Sequence, residues 1–188
     1  MTVQILRRRF AVDEYYLMAK AGILHEDDRV ELIEGEIVDM AAIGSRHAAA
    51  VKRVVDLLLA REVRQYALLS VQDPVRLSEH SEPQPDIVLL RRRSDYYVTA
   101  HPGPDDILLI IEVADTSADY DREIKAPLYA RAGITEFWLV DLEGGYVELY
   151  RSPSAEGYRQ VRTVRGNERL VPEALPGLEL TARDILGS

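Results

Sequence analysis

Two carboxylates stand in stretches that are otherwise apolar. Asp86 begins the run DIVLL, and Glu112 lies within ILLIIEVA at positions 107–114. Removing a carboxylate from water costs several kcal/mol unless a cation or hydrogen-bond donors offset the loss. If the two runs are neighbouring strands, the acids lie side by side, and a cation between them would relieve their repulsion. Two carboxylates of this kind are typical ligands of Mg²⁺ or Mn²⁺.

A lysine on the next predicted helix could complete such a site. Lys125 belongs to a helix that is predicted to run to Ala132 and to end at Gly133. Its ammonium could orient a water bound to the metal, or neutralise charge on a reacting phosphate. Two acids and one lysine on neighbouring elements could therefore hold a divalent metal and activate a water.

Each of these residues also has an ordinary explanation. Asp86 follows Pro85 and could simply open a strand or a turn. Glu112 could lie near the end of its strand and pair with an arginine. Lys125 could form an i,i+4 ion pair with Asp121, which lies on the same face of the helix. Both interpretations stay open for each residue.

Two auxiliary candidates lie upstream. The stretch 29–41, RVELIEGEIVDMA, predicts a β-hairpin that turns at its glutamate–glycine pair. Glu31 in this hairpin could face solvent or join the metal site. His47 lies in the first turn of a helix predicted over 45–65, on the side of its apolar stripe. It could be a hydrogen-bonded structural residue, or it could point towards the site that the helix covers.

The elements that must position these residues form an α/β pattern. Their order is hairpin, helix, several strands, helix and strands, which predicts a mixed sheet flanked by helices in a single domain over residues 1–188. A clasp helix is predicted over 11–21. Because Pro127 lacks a backbone donor, the helix that carries Lys125 is predicted either to start close to Ile124 or to kink there, and the late start is favoured. Strands are predicted over 67–77, 86–91, 107–113, 136–141, 146–151 and 157–164.

Composition limits the class of protein. The chain has 188 residues, 47% of them hydrophobic, no cysteine and a net charge of −9. The negative charge counts against a protein that coats nucleic acid, but not against an enzyme that meets DNA at one local basic patch. Residues 1–9 lack the apolar core of a signal peptide, and no apolar run could span a bilayer. A cytoplasmic protein without a membrane segment is expected.

The motifs taken together resemble the Uma-two family, a group described as putative restriction endonucleases within the PD-(D/E)XK nuclease superfamily. The resemblance covers roughly residues 10 to 152. It rests on Pro85-Asp86, Glu112-Val113, Asp121-Arg122 with Lys125, Tyr129-Ala130-Arg131-Ala132-Gly133, Phe137-Trp138-Leu139-Val140-Asp141, the hairpin Glu31 to Glu36, Met40 and His47. It implies a restriction-endonuclease-like core, dependence on a divalent metal, and hydrolysis of phosphodiester bonds in DNA.

The resemblance also implies roles for single residues. Asp86 matches the aspartate of the motif and Glu112 its second acid, so both would bind the metal. The superfamily lysine normally lies two residues after that acid, where this chain has Ala114. Lys125 would then supply the ammonium from the following helix. The auxiliary position would fall to Glu31, His47 or Asp121.

The leading expectation is therefore a Mg²⁺- or Mn²⁺-dependent DNA endonuclease. Because nucleases that cut both strands are commonly dimers, a homodimer is expected. The alternative is a catalytically silent nuclease fold that serves binding or assembly. Hydrolysis by two carboxylates without a metal, as in glycosidases, is a third and less favoured hypothesis.

Overall fold

The computed structural model describes residues 7–25 and 27–187. Residues 1–6, which belong to the segment where no signal peptide is predicted, lie outside the described residues. The centre of the structure is a six-stranded sheet in the order β3 (Leu68–Val71), β4 (Ile87–Leu90), β5 (Ile107–Ala114), β6 (Glu136–Asp141), β7 (Tyr146–Ser154) and β8 (Gly157–Val164). Strands β5 and β6 are parallel, and the other neighbours are antiparallel.

Helices and two small sheets surround this centre. The hairpin pairs β1 (Val30–Ile33) with β2 (Glu36–Asp39), and a second short sheet pairs β9 (Arg169–Leu170) with β10 (Leu180–Thr181). Among the described residues no helix is long and apolar enough to cross a membrane. The remaining elements are α1 Val12–Lys20, α2 Ser45–Ala60, α3 Ala118–Tyr120, α4 Ala126–Arg131 and α5 Ala182–Leu186. The predicted mixed sheet flanked by helices is confirmed.

The two faces of β5 pack against different layers. Ile111 and Val113 belong to the core that includes residues of α2 and α5. Ile110 and Ala114 belong to the core that includes residues of α4. Successive side chains of a strand point to opposite faces. Glu112 therefore shares the face of Ile110 and Ala114, and it lies under the helix that follows β5.

The crossover from β5 to β6 differs from the sequence prediction. Helical structure begins at Ala118 and continues through a π-helical turn, Asp121–Lys125, into α4. The expected start close to Ile124 is therefore wrong. Pro127 has no N–H to donate to the preceding turn. The chain accommodates it with a wider turn, in which the Ala126 N–H donates to the Asp121 carbonyl.

Two other elements are shorter than predicted. Helix α2 ends at Ala60 instead of reaching position 65, and a separate 3-10 turn follows at Val63–Gln65. Strand β3 ends at Val71, because Gln72 takes up the left-handed region with φ of 56° and turns the chain away from the sheet.

Candidate active site

The two acids of the central strands lie side by side. Asp86 immediately precedes β4, and the pairing of Ile87 with Ile111 sets Asp86 opposite Glu112 when the register is carried one residue further. The Asp86 N–H donates to Glu112 Oε2 over 3.1 Å. The Val113 N–H donates to Asp86 Oδ2 over 2.9 Å. Backbone donors thus fix each carboxylate against the other strand.

Glu112 is buried, and the crossover helix supplies its remaining partners. The residue is 3% exposed. Lys125 Nζ donates to its Oε1 over 3.0 Å, and the Tyr129 hydroxyl donates to the same oxygen over 2.6 Å. Burial raises the pKa of Glu112, and the positive charge of Lys125 opposes that rise. The partner of Glu112 is therefore a lysine with a tyrosine, and not the arginine considered from the sequence.

Glu31 is the second acid beside Lys125. Glu31 is 2% exposed, and its Oε2 lies 3.5 Å from Lys125 Nζ. The Gln84 N–H donates to that oxygen over 3.1 Å, and the Tyr120 hydroxyl lies 3.5 Å from the other carboxylate oxygen. The solvent-facing interpretation of Glu31 is therefore wrong. Burial alone would lower the pKa of Lys125, but Glu112 and Glu31 raise it overall, so the ammonium stays charged.

Asp86 has two further side-chain donors. His47 Nε2 lies 2.9 Å from Asp86 Oδ2, and Gln72 Nε2 donates to Oδ1 over 3.1 Å. Burial would raise the pKa of Asp86, but the hydrogen bond and charge of His47 lower it overall. The hydrogen bond to Asp86 in turn raises the pKa of His47. The other ring nitrogen of His47, Nδ1, is buried and has no partner among the residues described.

Asp121 belongs to the same region but does not pair with Lys125. The Ser117 hydroxyl donates to Asp121 Oδ2 over 3.3 Å. Within residues 7–25 and 27–187 no ion pair joins Asp121 to Lys125, so the i,i+4 alternative is wrong. Burial and the negative charge of Glu112 raise the pKa of Asp121 to about 8.

One cavity of about 500 Å³ collects all the candidates. Every candidate residue that the sequence indicated contributes to its lining: Glu31, His47, Asp86, Glu112, Asp121 and Lys125. The structure thus brings together, from the hairpin, α2, β4, β5 and the π turn, the six residues whose roles were predicted separately.

Three further polar residues contact the candidate residues but were not predicted from the sequence: Gln72, Tyr120 and Tyr129. Tyr129 follows Lys125 by one helical turn, and this spacing could have placed both on Glu112. Tyr120 had no comparable signal. Gln72 lies just past β3 in a left-handed conformation, which costs about 1–3 kcal/mol and is found mainly where surrounding contacts impose it. That conformation is visible only in the structure.

The oxygen donors suit a hard divalent cation. Asp86 accepts from His47, Gln72 and the Val113 N–H, and Glu112 accepts from Lys125, Tyr129 and the Asp86 N–H. Since a carboxylate offers about four lone-pair positions, each acid keeps room for one more partner. Among the described residues no group of three or more His, Asp or Glu side chains is arranged to hold a metal. Two carboxylates with several waters are nevertheless a sufficient ligand set for Mg²⁺.

A solved crystal structure has the same fold as this chain. A crystal structure described as "a putative nuclease belonging to DUF820 from Anabaena variabilis ATCC 29413" matches with a TM-score of 0.70 and 17% identity, over 95% of this chain and 98% of that one. The type IIG restriction endonuclease BpuSI matches with a TM-score of 0.40 and 14% identity, over 63% of this chain and 14% of that one. The latter similarity is too weak to bear on the fold.

Comparison of the sequence gives the family. No curated protein matches the chain. The family model "Uma2: Putative restriction endonuclease" matches residues 12–183, which include every candidate residue of the cavity. The resemblance seen in the motifs is confirmed, and the chain belongs to the Uma2 family of putative restriction endonucleases.

Proposed function

We propose that the chain is a divalent-metal-dependent endonuclease that hydrolyses phosphodiester bonds in DNA. The observation that carries this proposal is the buried contact of Glu112 with Lys125 beside Asp86, at the wall of the 500 Å³ cavity. Buried acids and a buried lysine are costly for stability, so their concentration in one open cavity favours a chemical role. Membership of the Uma2 family supports a nuclease.

Asp86 and Glu112 would hold Mg²⁺ or Mn²⁺ through their remaining lone pairs, assisted by the Val113 carbonyl. When bound, the metal supplies a water of lowered pKa and stabilises charge on the phosphate. Gln72 and His47 orient Asp86, and Tyr129 orients Glu112.

Lys125 would act on the phosphate or on the attacking water. Its ammonium lies between Glu112, at 3.0 Å, and Glu31, at 3.5 Å. These two acids keep it charged and limit its movement. A preorganised positive charge of this kind stabilises the negative charge that develops in the transition state.

The test is cleavage of supercoiled plasmid by purified protein in Mg²⁺ or Mn²⁺. We expect Glu112→Gln and Asp86→Asn to reduce cleavage by a factor of at least about 100, since a metal ligand is lost. Glu123→Gln changes an exposed acid of the same crossover helix and should cleave like the wild type. Equal cleavage by all four proteins would show that the activity comes from a contaminant.

A catalytically silent nuclease fold is the second candidate. It is favoured by the net charge of −9 and by the internal donors that already surround both acids. Calorimetric titration with Mn²⁺ separates the two functions. Binding that is lost in Asp86→Ala supports the nuclease, and the absence of binding supports the silent module. A homodimer would allow both strands to be cut, and light scattering of the purified protein would test it.

A further inference from the structure

A second cavity, of about 340 Å³, lies close to the proposed site along the chain. Glu82 contributes to its lining, whereas Gln84 and Asp86, farther along the same segment, line the first cavity. Its walls come from α1, from the segment around Arg76 and from the loop 97–101. Neither the family nor the proposed chemistry assigns a role to it.

Two aromatic rings form one wall of this second cavity. The ring centroids of Tyr16 and His101 are 6.5 Å apart, and their planes differ by 15°. Tyr16 is 43% exposed, and His101 is exposed as well. Nearly parallel, accessible rings offer a flat surface on which another planar ring can stack.

The floor of the cavity carries a buried acid with one unused oxygen. Glu82 is 3% exposed, and its Oε1 accepts from the Tyr16 hydroxyl over 2.5 Å. Its Oε2 has no hydrogen-bond donor among the described residues. The one buried side-chain atom without a partner in the described part of the chain is His47 Nδ1, so Glu82 Oε2 is an accessible atom that can accept from an N–H group of a ligand.

The lining of the same cavity also includes a donor. The guanidinium of Arg76 lines the same cavity, and its side chain pairs only with Asp13, at 3.1 Å, among the residues described. Since the Asp13 side chain is 81% exposed, this ion pair is weak and can be exchanged for a ligand. A stacking surface next to one acceptor and one donor matches the faces and edge of a nucleobase.

We propose that this second cavity binds a nucleobase, which stacks against Tyr16 and His101 and donates an N–H to Glu82. The inference rests on the proposed nucleic-acid substrate. Glu82 and Asp86 are four positions apart in the chain, so their backbones are separated by at most about 14 Å. At the spacing of about 3.4 Å per nucleotide of one strand in duplex DNA, this upper limit corresponds to at most about four nucleotide steps. The cavity would then take a base a few nucleotides from the phosphate in the first cavity and fix the strand there.

The test measures binding in EDTA, so that cleavage does not interfere. Fluorescence anisotropy compares a labelled twelve-nucleotide oligodeoxycytidylate with an abasic strand of the same length. We expect the wild type to bind the strand with bases about tenfold more tightly, in keeping with stacking of one base. His101→Ala should remove most of this preference.

Two other variants sharpen the test. Glu82→Gln removes the charge from the acceptor and should weaken binding of the base-containing strand about fivefold, because hydrogen bonds to a charged partner are about twice as strong. Tyr66→Ala removes an aromatic side chain that is 61% exposed and does not line the cavity, so it should bind like the wild type. His101 is exposed, and its replacement should leave folding intact.

The outcomes separate this inference from the proposed function. Equal binding of the two strands by the wild type, or an unchanged preference in His101→Ala, would overturn it, even if Glu112-dependent cleavage is observed. A preference that depends on His101 supports it, even if no cleavage is found. Calorimetry with free deoxycytidine monophosphate shows whether the cavity binds a base only within a strand or also in a single nucleotide. Binding of the free nucleotide that is lost in His101→Ala would mean that the cavity also accepts single nucleotides.

Discussion

Lys125 donates to Glu112 over 3.0 Å, although one residue lies on the crossover helix and the other on a central strand. In the superfamily that the motifs resemble, the lysine lies on the strand, at the position that Ala114 occupies here. Ala114 is fully buried and faces the layer of α4. The helix above the strand therefore delivers the ammonium to the acid, and the π turn before Pro127 lets both Asp121 and Lys125 face inwards.

Lys125→Met should destabilise the protein strongly. It leaves Glu112 and Glu31 buried without their cation, and breaking a buried pair costs about 3–5 kcal/mol. Urea unfolding at pH 7 measures the loss. Lys52→Met, on the exposed face of α2, should change the free energy of unfolding by less than about 0.5 kcal/mol. Similar stability of the two variants would contradict the structural role of Lys125.

Tyr129→Phe should impair activity more than its effect on stability explains. The variant loses a 2.6 Å hydrogen bond to Glu112, which should cost about 1–2 kcal/mol of stability. Tyr158→Phe is the matched control, because it loses a 2.8 Å hydrogen bond to the Ile134 carbonyl away from the cavity. We expect similar thermal stability for both but at least about tenfold slower plasmid cleavage for Tyr129→Phe alone. Equal cleavage rates would mean that Tyr129 only supports the fold.

Asp121→Asn should stabilise the protein, and more so at higher pH. The pKa of Asp121 is raised from 3.8 to about 8 in the folded protein. The folded state therefore holds a proton that the unfolded state releases, and the wild type loses stability as the pH rises from about 4 to about 8. Asparagine removes this loss. We expect equal stability near pH 4 and an advantage of at least about 2 kcal/mol for the variant at pH 8.

Thermal unfolding between pH 4 and pH 9 measures this difference. Asp119→Asn is the control, because the side chain of Asp119 is 94% exposed. The control should lack the advantage at pH 8 that is expected for Asp121→Asn. An Asp121→Asn curve that runs parallel to the wild type would show that Asp121 is ionised in the folded protein at neutral pH.

Addition of Mg²⁺ or Mn²⁺ should raise the melting temperature. A ligand present at 100 times its dissociation constant stabilises a protein by about 2.7 kcal/mol, which corresponds to about 5–10 °C for a chain of this size. Asp86→Asn should show no rise, whereas Glu123→Gln should respond like the wild type. A rise of the same size in Asp86→Asn would place the metal elsewhere.

The sequence by itself determined the central strands, the buried side of α2 and the two central acids. The continuous apolar run of β5 predicts a strand covered on both faces, and the stripe that begins at Val51 predicts the buried side of α2. Asp86 and Glu112 were visible because a lone charge interrupts segments that are otherwise suited to burial. Local pattern suffices for such features, since the periodicity of a strand or helix is fixed by its own backbone.

Only the tertiary structure decided which groups meet the acids. Glu31 lies far from Lys125 in the sequence, and Gln72 reaches Asp86 only because the chain turns at a left-handed residue. The helix start near Ile124 was mispredicted because propensity treats Pro127 as a break, whereas packing over β5 retains the helix through a π turn. Such contacts depend on how the layers of the fold pack together. The free energy of burying a charge depends on its partners, and here those partners come from distant parts of the chain.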